Sequence, residues 1–107
     1  MKDLMGIMKQ AQAMQTKMAE AQAELEALEV QGQAGGGLVA VTMSAKGAVR
    51  GIALDDSLIK VDEKEILEDL IVTAYEDARK KAERLAEEKM RDVTAGLPLP
   101  PGLKLPF

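Results

Sequence analysis

The first 28 residues carry a heptad repeat, and this repeat restricts the possible folds more than any other feature of the chain. Apolar residues recur there with spacings of 3, 4, 3, 4, 3, 4 and 3, at Leu4, Ile7, Ala11, Met14, Met18, Ala21, Leu25 and Leu28. This is the a/d pattern of a helix that packs along one narrow seam. It predicts a helix from about Asp3 to about Leu28, roughly 40 Å long.

A second long helix is predicted over residues 63–93, near the other end of the chain. Its apolar stripe follows helical spacing: Leu67, Leu70, Ile71, Ala74, Ala78, Ala82, Leu85 and Met90. Asp62, with Glu65 three residues later, is expected to cap its first turn. The acidic residues at its start suit the positive end of the helix dipole better than a metal site. They are Asp62, Glu63, Glu65, Glu68 and Asp69.

Between the helices the sequence predicts a three-stranded antiparallel meander. The segment EVQGQAGGG is a short strand that enters a glycine turn, residues 38–45 are the second strand and residues 48–54 the third. Lys46-Gly47 is a tight-turn signal. Gly35-Gly36-Gly37 favours a hairpin turn over a phosphate loop, because the Lys-Ser/Thr pair and the following helix are missing. Two rows alternate in the second strand: Val39, Val41 and Met43 on one face, and Ala40, Thr42 and Ser44 on the other.

Together these elements predict an α+β fold of the order α-β-β-β-α. We expect a single domain over residues 1–95 and a Pro-rich tail over residues 96–107. The meander leaves unpaired strand edges, and one helical hairpin cannot cover both of its faces. Two meanders joined into a larger sheet would solve both problems, so we expect a C2 homodimer through the sheet region. Because a short sheet cannot cover such long helices, the start of helix 1 is expected to lie beside the end of helix 2.

The composition excludes several kinds of chemistry. The chain has no Cys and no His, so disulfides, Cys/His zinc sites and Ser-His catalysis are not available. It carries no cofactor motif, and we expect no enzymatic activity, no metal or cofactor and no small-molecule substrate. The start lacks the pattern of a signal peptide, and no run approaches the ~18 apolar residues of a membrane span. We therefore expect a cytoplasmic protein without a membrane partner.

The net charge of −4 hides two basic segments. Residues 1–18 sum to +2 and residues 79–91 to +3, whereas residues 19–78 hold four basic and thirteen acidic side chains. Two basic helix ends on each copy of a dimer predict a clamp for double-stranded DNA, because Lys and Arg bind phosphates without reading bases. A solvated helix face also explains the second segment. The expected phosphate contacts are Lys2, Lys9, Lys17, Lys80, Lys81, Arg84, Lys89 and Arg91.

Five stretches resemble the YbaB/EbfC family of bacterial nucleoid-associated proteins: MKQAQAMQTKM, LEVQGQAGGGLVAVTM, LEDLIVTAYEDARKKAE, EKM and LPLPPGLKLPF. They occur in order and cover essentially the whole chain. The resemblance implies a tweezer-like homodimer of αβββα subunits that binds DNA in the nucleoid, organises it and regulates genes. One departure is Ala40, where the family often has a basic residue. Together with the acidic net charge, this alanine implies that the affinity for DNA is modest and strongly salt-dependent.

Two alternatives concern the apolar residues at the ends of the helices. A prefoldin-like protein-binding clamp also joins two long helices through β-hairpins, and methionines near the arm end would then contact non-native chains. These methionines are Met1, Met5, Met8 and Met90, which also suit adaptable packing. The tail, residues 96–107, holds four prolines and one charge, Lys104. It either docks over the ends of the helices or has no packing partner, as many termini do.

Overall fold

A computed structural model describes residues 2–95 of the chain, without the side chains of residues 2 and 3. Its main elements are α1 (Lys2–Ala27), β1 (Glu29–Ala34), β2 (Val39–Ser44), β3 (Val49–Leu54) and α2 (Lys64–Ala95). Two short 3-10 turns, Asp56–Leu58 and Val61–Glu63, lie between β3 and α2. The predicted α-β-β-β-α order is confirmed, and both helices begin and end within two residues of the prediction. The predicted tail, residues 96–107, lies outside the described residues.

The strands form an antiparallel sheet in the order β1-β2-β3. β1 pairs with β2 without irregularity, whereas the pairing of β2 with β3 shifts by one residue next to Thr42 and Met43. The glycines of the two connecting turns all have positive φ angles: Gly35, Gly36, Gly37 and Gly47. Glycine adopts this conformation at little cost because it has no Cβ. The predicted glycine hairpin and the Lys46-Gly47 turn are therefore confirmed.

The main core lies between α2 and one face of the sheet. Val39, Val41 and Met43, the row predicted to share one face of β2, are buried. Opposite them α2 presents three buried alanines: Ala74, Ala78 and Ala82. Because these side chains are small, the helix backbone lies close to the strands, as the dense packing of a protein interior requires.

Gly32 is the point of closest approach between β1 and α2. A Cβ atom added at Gly32 would lie 2.2 Å from the carbonyl oxygen of Ala74 and 2.2 Å from the backbone nitrogen of Ala78. Glycine in the interior of a strand is typical of such a close backbone contact. Sequence reasoning assigned Gly32 to a strand but missed the contact with the helix, although the isolated glycine was an available signal.

A second, smaller core joins α1 to α2. Ala21 and Leu25 of α1 are buried there together with Met90 of α2, and Met18 and Val93 pack at its edge. α1 runs toward the sheet, because it leads into β1, whereas α2 runs away from it, because its residues up to Ala82 pack on the sheet and Lys89 pairs with Glu24 of α1. The two helices are therefore antiparallel. This core is separate from the one beneath the sheet, and it holds α1 through only the second half of its heptad seam.

The first part of α1 projects beyond the described end of α2. Residues 4–13 are all exposed, and α1 is partly buried only from Met14 onward. The prediction that the start of helix 1 lies beside the end of helix 2 is therefore wrong for the described chain. The reason is that residues 67–82 of α2 pack on the sheet, which leaves only residues 83–95 to pair with α1. The molecule is accordingly elongated, 73 × 24 × 16 Å.

The start of α2 differs from the predicted cap. Asp62 lies inside the 3-10 turn Val61–Glu63, which runs directly into the helix, and Lys60 precedes this turn without a side-chain cap. The predicted Asp62 cap is therefore wrong, because the extra turn places Asp62 within helical backbone. The preceding turn is capped instead: Asp55 Oδ2 accepts a hydrogen bond from the backbone N–H of Ser57 at 3.0 Å. Hydrogen bonds from the side chain and backbone of Ser57 lower the pKa of Asp55.

Candidate nucleic-acid interface

The predicted phosphate contacts do not gather at one end of the molecule. Lys9 and Lys17 are exposed on α1, while the side chain of Lys2 lies outside the described part. The other five belong to α2: Lys80, Lys81, Arg84, Lys89 and Arg91. Those near residue 80 lie level with the sheet, because Ala78 and Ala82 pack on it. The basic segments are thus spread along the molecule.

Lys80, Arg84 and Arg91 form a line on the solvent face of α2, which we name the cation row. Successive residues of an α-helix are ~100° apart, so these three side chains lie within about 40° of one another and span about 16 Å. All three are exposed, and none forms an ion pair among the residues that the structure describes. The row points away from Ala78 and Ala82, which face the sheet.

The other cations of this segment are engaged within the chain. Arg79 pairs with Glu76, at 2.8 Å, and with Glu83. The hydrogen bond from Arg79 lowers the pKa of Glu76, and the same bond raises the pKa of Arg79. Lys89 forms an ion pair with Glu24 of α1 and so links the two helices.

Lys81 and Asp77 close the outer edge of β1. Lys81 Nζ donates to the carbonyl oxygen of Gln31 at 2.8 Å and pairs with Asp77 Oδ2 at 3.2 Å. Asp77 Oδ2 also accepts a hydrogen bond from the backbone N–H of Gln33 at 3.0 Å. That bond and the contact with Lys81 lower the pKa of Asp77. Side chains of α2 thus satisfy backbone groups that an edge strand otherwise offers to another strand.

Replacing Asp77 with Asn is expected to flatten the pH dependence of folding stability. A carboxylate whose folded-state pKa is lowered stabilises the fold above its unfolded pKa, and this contribution disappears as the pH falls through the folded pKa. The amide still accepts from Gln33 but neither titrates nor pairs with Lys81. Urea midpoints between pH 7 and pH 2.5 should therefore show the variant below the wild type at pH 7 and converging with it below about pH 4.

Asp92→Asn is the control for this titration, because Asp92 is an exposed aspartate of the same helix that makes no side-chain hydrogen bond to any described residue. Its profile should follow the wild type across the whole pH range. If Asp77→Asn also gave the wild-type profile, the closure of the β1 edge would contribute nothing to stability.

The opposite edge of the sheet, β3, is open. Every residue of β3 is exposed. Val49, Ile52 and Leu54 lie opposite the buried row of β2 in the strand register, so they share the face on which α2 packs but lie beside the helix. Arg50 occupies the irregularity in the pairing, and its guanidinium donates to the carbonyl oxygen of Glu26 at 3.2 Å. β3 therefore presents both an unpaired backbone edge and apolar side chains.

A groove of about 750 Å³ lies between α2, the end of α1 and the turn after β2. Leu25, Tyr75, Ala82 and Met90 are among the residues that line it. Tyr75, which is 38% exposed, contributes an aromatic ring at the end nearest the sheet. Tyr75 and Lys81 lie on opposite sides of α2, so the groove is on the side of the helix away from the closed β1 edge.

Two further features of residues 2–95 concern membranes and metals. Neither helix has the continuous apolar length that crossing a bilayer requires. In the same part of the chain, no three acidic side chains come close enough together to share a metal ion. The acidic residues from Asp62 to Asp69 lie instead along the 3-10 turn Val61–Glu63 and the first turns of α2, where all of them keep contact with solvent.

The fold is that of a small α-β-β-β-α protein, and the cation row is an exposed positive surface on its second long helix. A model of the YbaB/EbfC DNA-binding family matches residues 1–97. The chain therefore belongs to the YbaB/EbfC DNA-binding family, as the resemblance of its sequence implied.

The relatives of the chain carry names that agree with this family. It is 71% identical to a nucleoid-associated protein of Methylocella silvestris over 107 residues, which are all of both chains. It is 59% identical to nucleoid-associated protein Atu0095 of Agrobacterium fabrum, again over the full length of both. The uncharacterized protein HP0035 from Helicobacter pylori shares the fold, with a TM-score of 0.70 over 86% of this chain and 94% of that one, at 21% identity.

Proposed function

We propose that the protein is a non-enzymatic, homodimeric clamp that binds double-stranded DNA in the nucleoid by contacting phosphates. The observation that carries this proposal is the cation row, three exposed cations without an ion-pair partner among the described residues. Cations that neutralise phosphates release counterions, a favourable term that does not depend on base sequence. α2 contains neither Asn nor Gln, the side chains that typically read adenine. We therefore expect little sequence preference.

The dimensions of the cation row suit a duplex. Its length of about 16 Å corresponds to roughly five base-pair steps of one strand at ~3.4 Å each. Lys9 and Lys17 on α1 add charge further along the same arm. Lys81 and Lys89 have partners within the chain, so we assign them to holding α2 in place and leave the phosphate contacts mainly to the row. Two such arms on one body would hold a duplex, change its path and thereby affect the expression of nearby genes.

The clamp requires a second copy of the chain, and we propose that two copies join through β3. The β1 edge is closed by Asp77 and Lys81, whereas β3 has an unpaired edge and exposed Val49, Ile52 and Leu54. Pairing β3 with β3 of the partner would give a six-stranded sheet with C2 symmetry, in which the open β3 edge of each copy is paired. The apolar groove beside Tyr75 would then lie within the interface.

Ile52→Glu is expected to convert the dimer to a monomer. Ile52 is 52% exposed at the centre of β3, and two carboxylates brought together in a desolvated interface would repel each other. We expect the dimer dissociation constant to rise at least ~100-fold, equivalent to about 2.7 kcal/mol. Sedimentation equilibrium over a range of concentrations measures it, and circular dichroism checks that both helices persist.

Val61→Glu is the matched control for this change, because it places the same charge at an apolar residue that is 91% exposed. It should have the dissociation constant of the wild type. If Ile52→Glu had the same mass in solution as the wild-type dimer, the dimer interface would not lie on β3. A wild-type protein that is monomeric at every concentration would remove the clamp altogether.

A prefoldin-like protein-binding clamp is the second candidate function. It is favoured by exposed apolar side chains on the projecting part of α1: Leu4, Met5, Ile7 and Met8. Apolar contacts with a non-native chain are not screened by salt, whereas phosphate contacts are. Titrations of DNA and of an unfolded protein, each at several salt concentrations, separate the candidates. Binding of the unfolded protein that persists in high salt, with DNA binding absent, would select the second one.

A further inference from the structure

The heptad seam of α1 has a partner along only part of its length. Ala21 and Leu25 are buried against α2, whereas Leu4 and Ile7, which belong to the same seam, are 58% and 59% exposed. Residues 4–14 therefore carry an apolar strip about 15 Å long. Residues 4–13 are all exposed, so no part of the described chain covers the strip up to that point.

This strip is an unfavourable surface to leave in water. Isolated helices shorter than ~12–15 residues are marginal, and residues 4–13 have no burial among the described residues to support them. The strip also exposes branched apolar side chains, each of which gains free energy when it is removed from water. A segment that packed on the strip would therefore stabilise the projecting part of α1.

We propose that residues 96–107 of the same chain dock on this strip. α1 and α2 are antiparallel, and Val93 of α2 packs on the same core as Met18 of α1. The described part of α2 ends two residues further on, at Ala95. A chain that continues past Ala95 in the direction of α2 runs along the strip toward Leu4. To enter the groove beside Tyr75 it would have to reverse its direction.

The length and chemistry of the segment suit the strip. Twelve residues of extended, polyproline-like chain span roughly 37 Å at ~3.1 Å each, more than twice the length of the strip. The four prolines oppose a helix and reduce the conformational entropy lost on docking. The segment has one charge, Lys104, and five apolar side chains: Leu97, Leu99, Leu103, Leu105 and Phe107.

A single spin label tests the docking, because the chain has no cysteine of its own. Full-length Gly102→Cys carrying a nitroxide, in ¹⁵N-labelled protein, should broaden the amide signals of residues 4–14. Signals of residues 64–72, at the opposite end of α2, should keep their intensity and serve as the internal reference. Broadening that is absent, or equal in both regions, would overturn the proposal.

The same label distinguishes one chain from two. A mixture of ¹⁵N-labelled chain without the nitroxide and nitroxide-labelled chain without ¹⁵N should leave residues 4–14 sharp. Broadening in this mixture would mean that the tail docks on the partner copy, which overturns docking within one chain. The measurement involves no DNA. Tail docking can therefore be disproved while phosphate binding is confirmed, and phosphate binding can be disproved while tail docking is confirmed.

Ile7→Gln and Met5→Gln are matched variants for the binding surface. Both replace an exposed apolar residue on the projecting part of α1, but Met5 lies about 160° around the helix from Ile7. Ile7→Gln should lose at least half of the broadening, and Met5→Gln should keep it. An equal loss in both would show that the strip does not bind the tail.

A chain that stops after Ala95 gives an independent measure. Without the tail, Tm should fall by roughly 5 °C, and amide exchange over residues 4–14 should become faster while exchange in β2 is unchanged. An unchanged Tm together with unchanged exchange would contradict the proposal, whatever the spin label reports.

Discussion

Replacing Gly32 with Ala is expected to lower the free energy of unfolding by about 3 kcal/mol. The added Cβ would lie 2.2 Å from two backbone atoms of α2, on Ala74 and Ala78, and backbone cannot rotate away as a flexible side chain can. α2 must therefore move off β1. This movement also disturbs the buried row of β2 and the hydrogen bonds that close the β1 edge. In thermal unfolding the loss corresponds to a Tm about 15 °C lower.

Gly51→Ala is the matched control, because Gly51 lies in β3 of the same sheet and a Cβ there meets no atom within 4 Å. Chemical denaturation of both variants at equal protein concentration measures the difference. Gly51→Ala should stay within about 0.5 kcal/mol of the wild type. If the two variants unfolded at the same denaturant concentration, the contact between β1 and α2 would not restrict the size of the side chain at position 32.

The elements of this fold are readable from the sequence because their signals are local. The heptad of α1, the alternation in β2 and the glycines of the turns each depend on neighbours a few residues away. Gly35 and Gly47 need positive φ whatever the rest of the chain does. Helix boundaries could therefore be predicted to within two residues, and the element order confirmed the predicted α+β fold.

The relative placement of the elements could not be predicted in the same way. The position of α2 along the sheet depends on the close contact of Gly32 with Ala74 and Ala78, and this contact joins residues more than forty positions apart. Lys80 and Lys81 illustrate the consequence. They are adjacent in sequence and equal in charge, but ~100° of helix rotation turns one toward solvent and the other toward Gln31. A count of charged residues along the sequence therefore assigns Lys80 and Lys81 the same role, although their surroundings differ.

Replacing the whole cation row with alanine, as Lys80→Ala, Arg84→Ala and Arg91→Ala, is expected to weaken DNA binding by at least two orders of magnitude near 0.1 M salt. Each phosphate contact contributes about −0.9 to the slope of log K against log salt, so the slope should become less negative by about 2.7 for each arm that contacts the duplex, or about 5.4 for the two arms of the dimer. Fluorescence anisotropy with a duplex, titrated at four or more salt concentrations, gives both quantities. Because phosphates carry no sequence information, unrelated duplexes should lose affinity about equally.

The matched control removes three cations from the acidic stretch of the chain, with Lys46→Ala, Lys60→Ala and Lys64→Ala. It alters the net charge by the same amount, and these three side chains are exposed as well. If binding responded only to net charge, both triple variants would lose affinity alike, whereas phosphate contact by the row predicts a near-wild-type slope for the control.

Glu87→Gln should strengthen DNA binding, since Glu87 lies on the same side of α2 as the row and its carboxylate repels phosphate. A flat salt dependence in the wild type would reject phosphate contact as the mechanism, and a loss confined to one duplex would replace it with base reading.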